Sequence, residues 1–252
     1  MLELKIKTVS EYLSIIEKLY KDAPAFFGKT PLKVLFRGQE NLEWPLLPGL
    51  FRYESFYHNE IDLIKELERK LPQEFNQKNI LEKLIKMQHY GAPTRLLDLT
   101  GNPLVGLYFA CSQKMESDGV VYVENGPLFS IDSPGIQAIE RMMYNKQWFD
   151  EQYDEKLKDE HTVAIIKSPI NNQRLHNQDG YFALYNYHGK YKKFDWSPLD
   201  IDGGFLLAKI IIPSEEKSAL VKELSLLGIK KSFLFPELQY EVESVIDDLV
   251  YS

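Results

Sequence analysis

Arg37 ends an apolar run, Val34-Leu35-Phe36, and is followed at once by Gly38. A guanidinium in that position is half-buried and offers planar, paired donors suited to a phosphate or a carboxylate. Glycine beside it lets a ligand approach the backbone, although a structural carboxylate such as Asp98 accounts for the arginine equally well. The densest concentration is MQHYGAPTRLLDLTGNPLVGLYFAC, residues 87–111. Within it Arg95 and Asp98 flank Leu96-Leu97 in what reads as a tight, charged turn over 91–100. A mutual ion pair is expected there, of the kind that fixes a loop geometry more than it adds net stability. His89 is a candidate general base near neutral pH, while a helix cap or a bond to a backbone carbonyl explains it with less. Thr100, with Asn102, is placed to cap the following helix, whose free N–H groups form a natural anion site. The third concentration is NNQRLHNQDGYF, residues 171–182, where Arg174, Gln178 and Asp179 flank Gly180. A hairpin-like loop explains the Asn, Asp and Gly without any function.

Several chemistries find no support. The five histidines show no H-E-x-x-H or paired spacing, and the chain has no P-loop, G-x-S-x-G or G-x-G-x-x-G. Cys111 is the single cysteine, which excludes an internal disulfide and a thiolate zinc site; at the end of an apolar helix it reads as a small buried thiol. A net charge of −7 argues against a general nucleic-acid binder. With 44% apolar and 27% charged residues over 252 positions the composition is that of a soluble globular protein, and no apolar run is long enough for a bilayer. MLELKIK lacks the regions of a secretion signal, so a cytoplasmic protein without membrane contact is expected.

The elements that must position these residues follow from pattern and punctuation. Thr8-Val9-Ser10-Glu11 reads as a capping box ahead of a helix striped by Tyr12, Ile16 and Leu19. Residues 32–37 read as a strand, and Trp44-Pro45-Leu46-Leu47-Pro48-Gly49 as irregular, because both prolines fix φ and remove donors. Helices are predicted over 58–71, 79–90 and 102–115, the last apolar almost all round and so buried. Strands are predicted at 119–123, 162–167 and 205–212, with a short one after the 171–182 loop. Ser133-Pro134 reads as a helix start, 140–160 as a polar insertion, 214–227 as a helix ended by Gly228, and 236–249 as an acidic helix. Without a βαβ rhythm the expectation is one α+β domain over 1–252, a mostly antiparallel sheet surrounded by helices.

At these residues the chain resembles the FRG domain family. The resemblance is carried by Phe36-Arg37-Gly38-Gln39, by Trp44-Pro45-Leu46-Leu47-Pro48, and by the run from Gln88 to Thr100; Asn172-Gln173-Arg174, Gln178, Gly180 and Phe182 are similar to a third motif, and Leu234-Phe235-Pro236 to a closing one. Leu99 stands where the family often has tryptophan, and Asp179 where it often has glutamine. A further resemblance is to ADP-ribosyltransferases: Phe36-Arg37-Gly38, then Asp98-Leu99-Thr100 before a helix with Phe109-Ala110, then Gln178 before Tyr181-Phe182. It implies an ADP-ribosyltransferase-like fold, NAD as co-substrate, and Arg37, Thr100 and Gln178 as catalytic residues. Arg37, Gly38, His89, Arg95, Asp98 and Thr100 would form the cofactor site. It also implies a toxin or phage-defence effector with a protein or nucleic-acid acceptor. Gln178 departs from the glutamate of transferases that modify side chains, which keeps a non-catalytic nucleotide- or phosphate-binding module open as the alternative. A nuclease comes third, for want of clustered carboxylates or a basic stripe.

Overall fold

The computed structural model describes residues 2–27, 30–52, 54–76, 78–134, 136–137, 162–167, 173–186 and 206–237. The expected insertion at 140–160 lies outside these residues, as does the acidic helix at 236–249 apart from its first two positions. The described residues form an α+β unit. Its strands are β1 (Leu2–Lys5), β2 (Phe26–Phe27), β3 (Thr30–Gln39), β4 (Leu96–Thr100), β5 (Gly119–Ser130), β6 (Thr162–Lys167), β7 (Gly180–Asn186) and β8 (Leu206–Ile212). The sheet runs β1-β8-β5-β6-β7-β4-β3-β2, and β3 pairs again with β5. That extra pairing closes β3, β5, β6, β7 and β4 into a barrel, with β8, β1 and β2 attached outside the ring. Pairing is antiparallel except between β1 and β8 and between β5 and β6.

Strand alternation explains the layers, since successive side chains point to opposite faces. Leu35, Leu97, Leu99, Val120, Tyr122, Ile165, Tyr181, Ala183 and Tyr185 fill the barrel, joined by Leu46, Leu47, Leu50 and Phe51 of the proline-rich segment. That segment carries a short 3-10 turn, Gly49–Arg52, and plugs the ring. Their neighbours in the strands point outward: Val34, Phe36, Val121 and Val123 meet helices α1 (Val9–Asp22) and α6 (Pro103–Cys111). Leu96, Ile166, Phe182 and Leu184 meet α3 (Glu60–Lys70) and α5 (Ile80–His89), while α2 (Glu54–His58) and α4 (Pro72–Phe75) are short connectors. Beyond the barrel the described chain holds α7 (Gln173–Asn177), α8 (Lys217–Leu226) and α9 (Lys231–Leu234).

Most local expectations agree with this. Thr8 Oγ1 accepts from Glu11 N, and Glu11 Oε2 in turn takes Lys7 N. Gly91 and Gly228, with φ of 86° and 83°, end α5 and α8 in the left-handed region that favours glycine. One expectation fails: the charged turn over 91–100 is in its second half the barrel strand β4. Leu97 and Leu99 face the interior and Leu96 the outer core, so the alternation of a strand outweighs the turn chemistry of Gly91 and Pro93. The strand expected at 119–123 extends to Ser130, because β5 serves three neighbours in turn: β8 up to Glu124, β3 along 120–127, and β6 from Leu128.

Candidate functional site

The barrel is weakest between β3 and β4, whose ladder consists of one register pair, Phe36 with Thr100. Beyond that pair the strands separate, and the Arg37 side chain spans the gap: Nη1 donates to the Asp98 carbonyl at 2.8 Å, and Nε to Gln39 Oε1 at 3.3 Å. A cavity of about 250 Å³ opens at this seam. Phe36, Arg37, Gly38, Gln39 and Glu40 line it from β3 and its end, and Asp98, Leu99 and Thr100 from β4. Trp44 and Arg52 come from the plug, Phe109 from α6, Arg174 from α7, and Gln178 from the turn before β7.

Four of the residues singled out in the sequence, Arg37, Asp98, Thr100 and Gln178, therefore share one space, with Gly38 on its wall. Gly38 has a different reason from the one expected. A Cβ there would lie 2.0 Å from the Gly106 carbonyl oxygen and 2.7 Å from Ala110 N, so the glycine admits α6 rather than a ligand. Thr100 donates its hydroxyl to the Gln178 carbonyl at 2.5 Å and accepts from Asn102 N at 3.0 Å. Asn102 is the cap of α6, its Oδ1 taking Leu104 N. Gln178 uses its own Nε2 on Leu234 O at 3.0 Å, and Asn177 binds Phe233 O. Arg174 stacks over the Phe235 ring at 4.6 Å, and Phe235 meets Phe109 edge-on. The segment Arg174–Gln178 and the segment Phe233–Phe235 thus hold each other at the rim.

Two expected site residues lie elsewhere. His89 is exposed, packs edge-on against Tyr90, and does not line the cavity. Arg95 does not pair with Asp98. It points into the protein, where Nε and Nη2 take both carboxylate oxygens of Glu60 and Nη1 donates to Tyr185 O at 3.1 Å. Both partners are about 5% exposed, so this is a buried bidentate pair locking α3 to the barrel. Arg95 lies just before β4, and along this extended backbone residues 95 and 98 point to opposite faces, so Arg95 turns to Glu60 and Asp98 to Gln88. Asp98 is exposed instead, its Oδ1 accepting from Gln88 Nε2 at 2.7 Å, while Gln88 Oε1 takes the Thr94 hydroxyl.

The electrostatics are mixed but lean positive, with three guanidinium groups from Arg37, Arg52 and Arg174 against the carboxylates of Asp98 and Glu40. Burial pushes the Arg37 pKa down, Asp98 opposing it, and pushes the Glu40 carboxyl up against the pull of Lys217. Lys217 is itself fully buried and donates to the carbonyls of Glu40, Gln113 and Lys114. In β5, opposite Leu35, Glu124 is buried, and burial raises its carboxyl to about 7 against the pull of Arg37. Arg52, Phe109 and Glu124 were not singled out from the sequence. For Glu124 the signal was present: one carboxylate closing the strand-favouring run Val120-Val121-Tyr122-Val123. Arg52 carries no such mark, because the plug has no periodicity that fixes which way its side chains point.

Among the described residues no group of His, Cys, Asp and Glu is arranged to hold a metal, and no helix is long and apolar enough to cross a membrane. No curated protein and no solved structure matches the chain. The family model described as the FRG domain matches residues 32–119, the span that supplies β3, the plug, the Gln88–Asp98 contact, β4 and α6. The protein carries an FRG domain, and the open seam of the barrel is built chiefly from it.

Proposed function

We propose that the cavity at the seam is a nucleotide site and that NAD is its ligand. The observation that carries this reading is the convergence of Arg37, Arg52 and Arg174 on a space that also has Trp44 and Phe109 on its wall. Guanidinium groups stay charged and bind phosphate oxygens in pairs, and flat aromatic faces accept a base or a nicotinamide ring. Only two N–H groups of Arg37 are engaged, by Gln39 and the Asp98 carbonyl, which leaves the rest of its fork for a ligand.

The geometry supports binding without catalysis best. The Thr100 hydroxyl and the Gln178 amide, the groups a transferase would set around the ribose, are committed to backbone carbonyls. One observation favours an NAD-dependent ADP-ribosyltransferase, acting as a toxin or phage-defence effector on a protein or nucleic-acid acceptor. Arg37, Thr100 and Gln178 share the cavity with Asp98 and Glu40, and either carboxylate supplies the general base that a glutamine cannot. Calorimetry with NAD on the wild type and on Arg37→Ala tests the shared premise, with binding expected for the first and none for the second. Nicotinamide release in the presence of protein and nucleic-acid acceptors separates the two readings. Absence of NAD binding at millimolar concentration overturns both.

A further inference from the structure

Glu124 has no part in that reading, yet among the described residues it is a buried barrel side chain with an unpartnered oxygen. It is 1% exposed, and its Oε1 has no hydrogen-bond partner. It stands at the register shift between β5 and β8, and such bulges re-aim side chains beside functional sites. Its parity with Val120 and Tyr122 puts it on the inner face, opposite Leu35 and diagonal to Arg37, the residue paired with Tyr122. The charged and titratable groups on the elements around it have other partners. On β3, Lys33 holds the Tyr181 hydroxyl at 2.6 Å, and Arg37 gives two N–H groups to Gln39 and the Asp98 carbonyl while the rest of its fork stays open. On β7 the Tyr185 hydroxyl donates to Leu46 O, in the plug Arg52 reaches Leu47 O, and on β4 Asp98 takes Gln88. Tyr122 is the remaining neighbour, on β5 itself.

We infer that Glu124 is a further residue of the binding machinery, taking up one proton when an oxyanion docks on Arg37. The inference rests on the nucleotide reading, because it needs Arg37 to receive the anion. A buried carboxylate with no hydrogen bond is tolerated only beside a counter-charge. In the free protein Arg37 is that counter-charge, and burial leaves the carboxyl at about 7, divided between its two forms near neutrality. An anion on Arg37 cancels the counter-charge from the other side, so the neutral acid becomes the favoured form and its pKa rises further. The sign follows by linkage. Below the free-protein value the carboxyl is already protonated and affinity is constant with pH. Above it the proton must be drawn from solution, and the dissociation constant rises, by at most about tenfold per pH unit.

The test is calorimetry with NAD and separately with sulfate, neither of which gains or loses a proton near neutral pH. Titrations in two buffers of different ionisation enthalpy count the protons. Wild type is expected to take up a fraction of a proton at pH 7 that grows towards one at pH 8, and its affinity to fall over the same interval. Glu124→Gln keeps the shape of the side chain and is expected to bind with no proton uptake and a flat pH profile. Should that variant fail to fold, the two-buffer count and the infrared carboxyl band of wild type, with and without NAD, decide alone. NAD or sulfate bound by wild type without proton uptake overturns the role of Glu124 and leaves the nucleotide reading standing. No binding of either probe at any pH overturns both.

Discussion

Gln88 Nε2 meets Asp98 Oδ1 at 2.7 Å, and this single contact ties the last turn of α5 to the strand whose carbonyl holds Arg37. The other end of the same amide takes the Thr94 hydroxyl, which also caps Leu96 N. The motif from Gln88 to Thr100 is therefore a brace for most of its length and reaches the cavity only at its end, through Asp98, Leu99 and Thr100.

Gln88→Ala is expected to weaken NAD binding about five- to tenfold, the value of one or two lost hydrogen bonds, although it touches no ligand. Calorimetry beside an unchanged circular dichroism spectrum checks it. Asp98→Ala should cost about 1 kcal/mol of stability or less, since its carboxylate is exposed. That is far below the cost of stranding a buried charge.

Arg95 forms its buried ion pair with Glu60 and not with Asp98. Removing either partner strands a charge at a site about 5% exposed, and Arg95→Ala or Glu60→Ala should each cost about 3–5 kcal/mol in urea unfolding. The double variant should cost less than the sum, a coupling that a double-mutant cycle reads directly.

Glu124 sets a pH dependence of folding. Its carboxyl is raised from 4.5 to about 7 by burial, so the unfolded chain gives up the proton first. The stabilisation is fully present below 4.5 and is lost as pH rises through 7, a loss of roughly 3 kcal/mol for a shift of this size. Glu124→Gln should therefore match wild type at pH 4 and exceed it at pH 8 in denaturant titrations.

Cys111 is buried, and burial pushes its thiol up to about 12. A thiol-specific reagent at pH 8 should label the native protein only as fast as α6 opens, and the urea-unfolded chain at once. Rapid labelling of folded protein would place the thiol in a more open environment than α6 provides.

How much of this was legible in the sequence depended on what each residue had to report. Arg37 declared itself because it ends an apolar run, and Thr100 because it precedes a helix cap; both contacts are local in pattern. Gln178 and Asp98 were recognisable as polar concentrations, and they line the same cavity as Arg37. The partner of Arg95 was not legible, since Glu60 opens α3 some distance away in sequence and looks like any acidic first-turn residue. His89 misled for a related reason: a histidine at a helix end has the same appearance whether it faces a site or solvent. The barrel itself could not be read, because closure needs β5 to exchange β8 for β6 along one edge while keeping β3 on the other. Nothing in a strand's own composition announces two successive neighbours.

Phe36, Arg37 and Gly38 occupy three adjacent positions of one strand and serve three different neighbours: the outer core, the cavity and the backbone of α6. No residue of the three can be moved by one place. Inserting or deleting a single amino acid upstream within β3 would turn the guanidinium against the helix and the phenyl ring into the cavity, and would press a side chain onto Gly106. Substitutions elsewhere on the rim alter one contact at a time, whereas a frame slip here inverts the inside and outside of the seam at once. Length between the start of β3 and Gly38 is thus under tighter restraint than the identity of most residues along it.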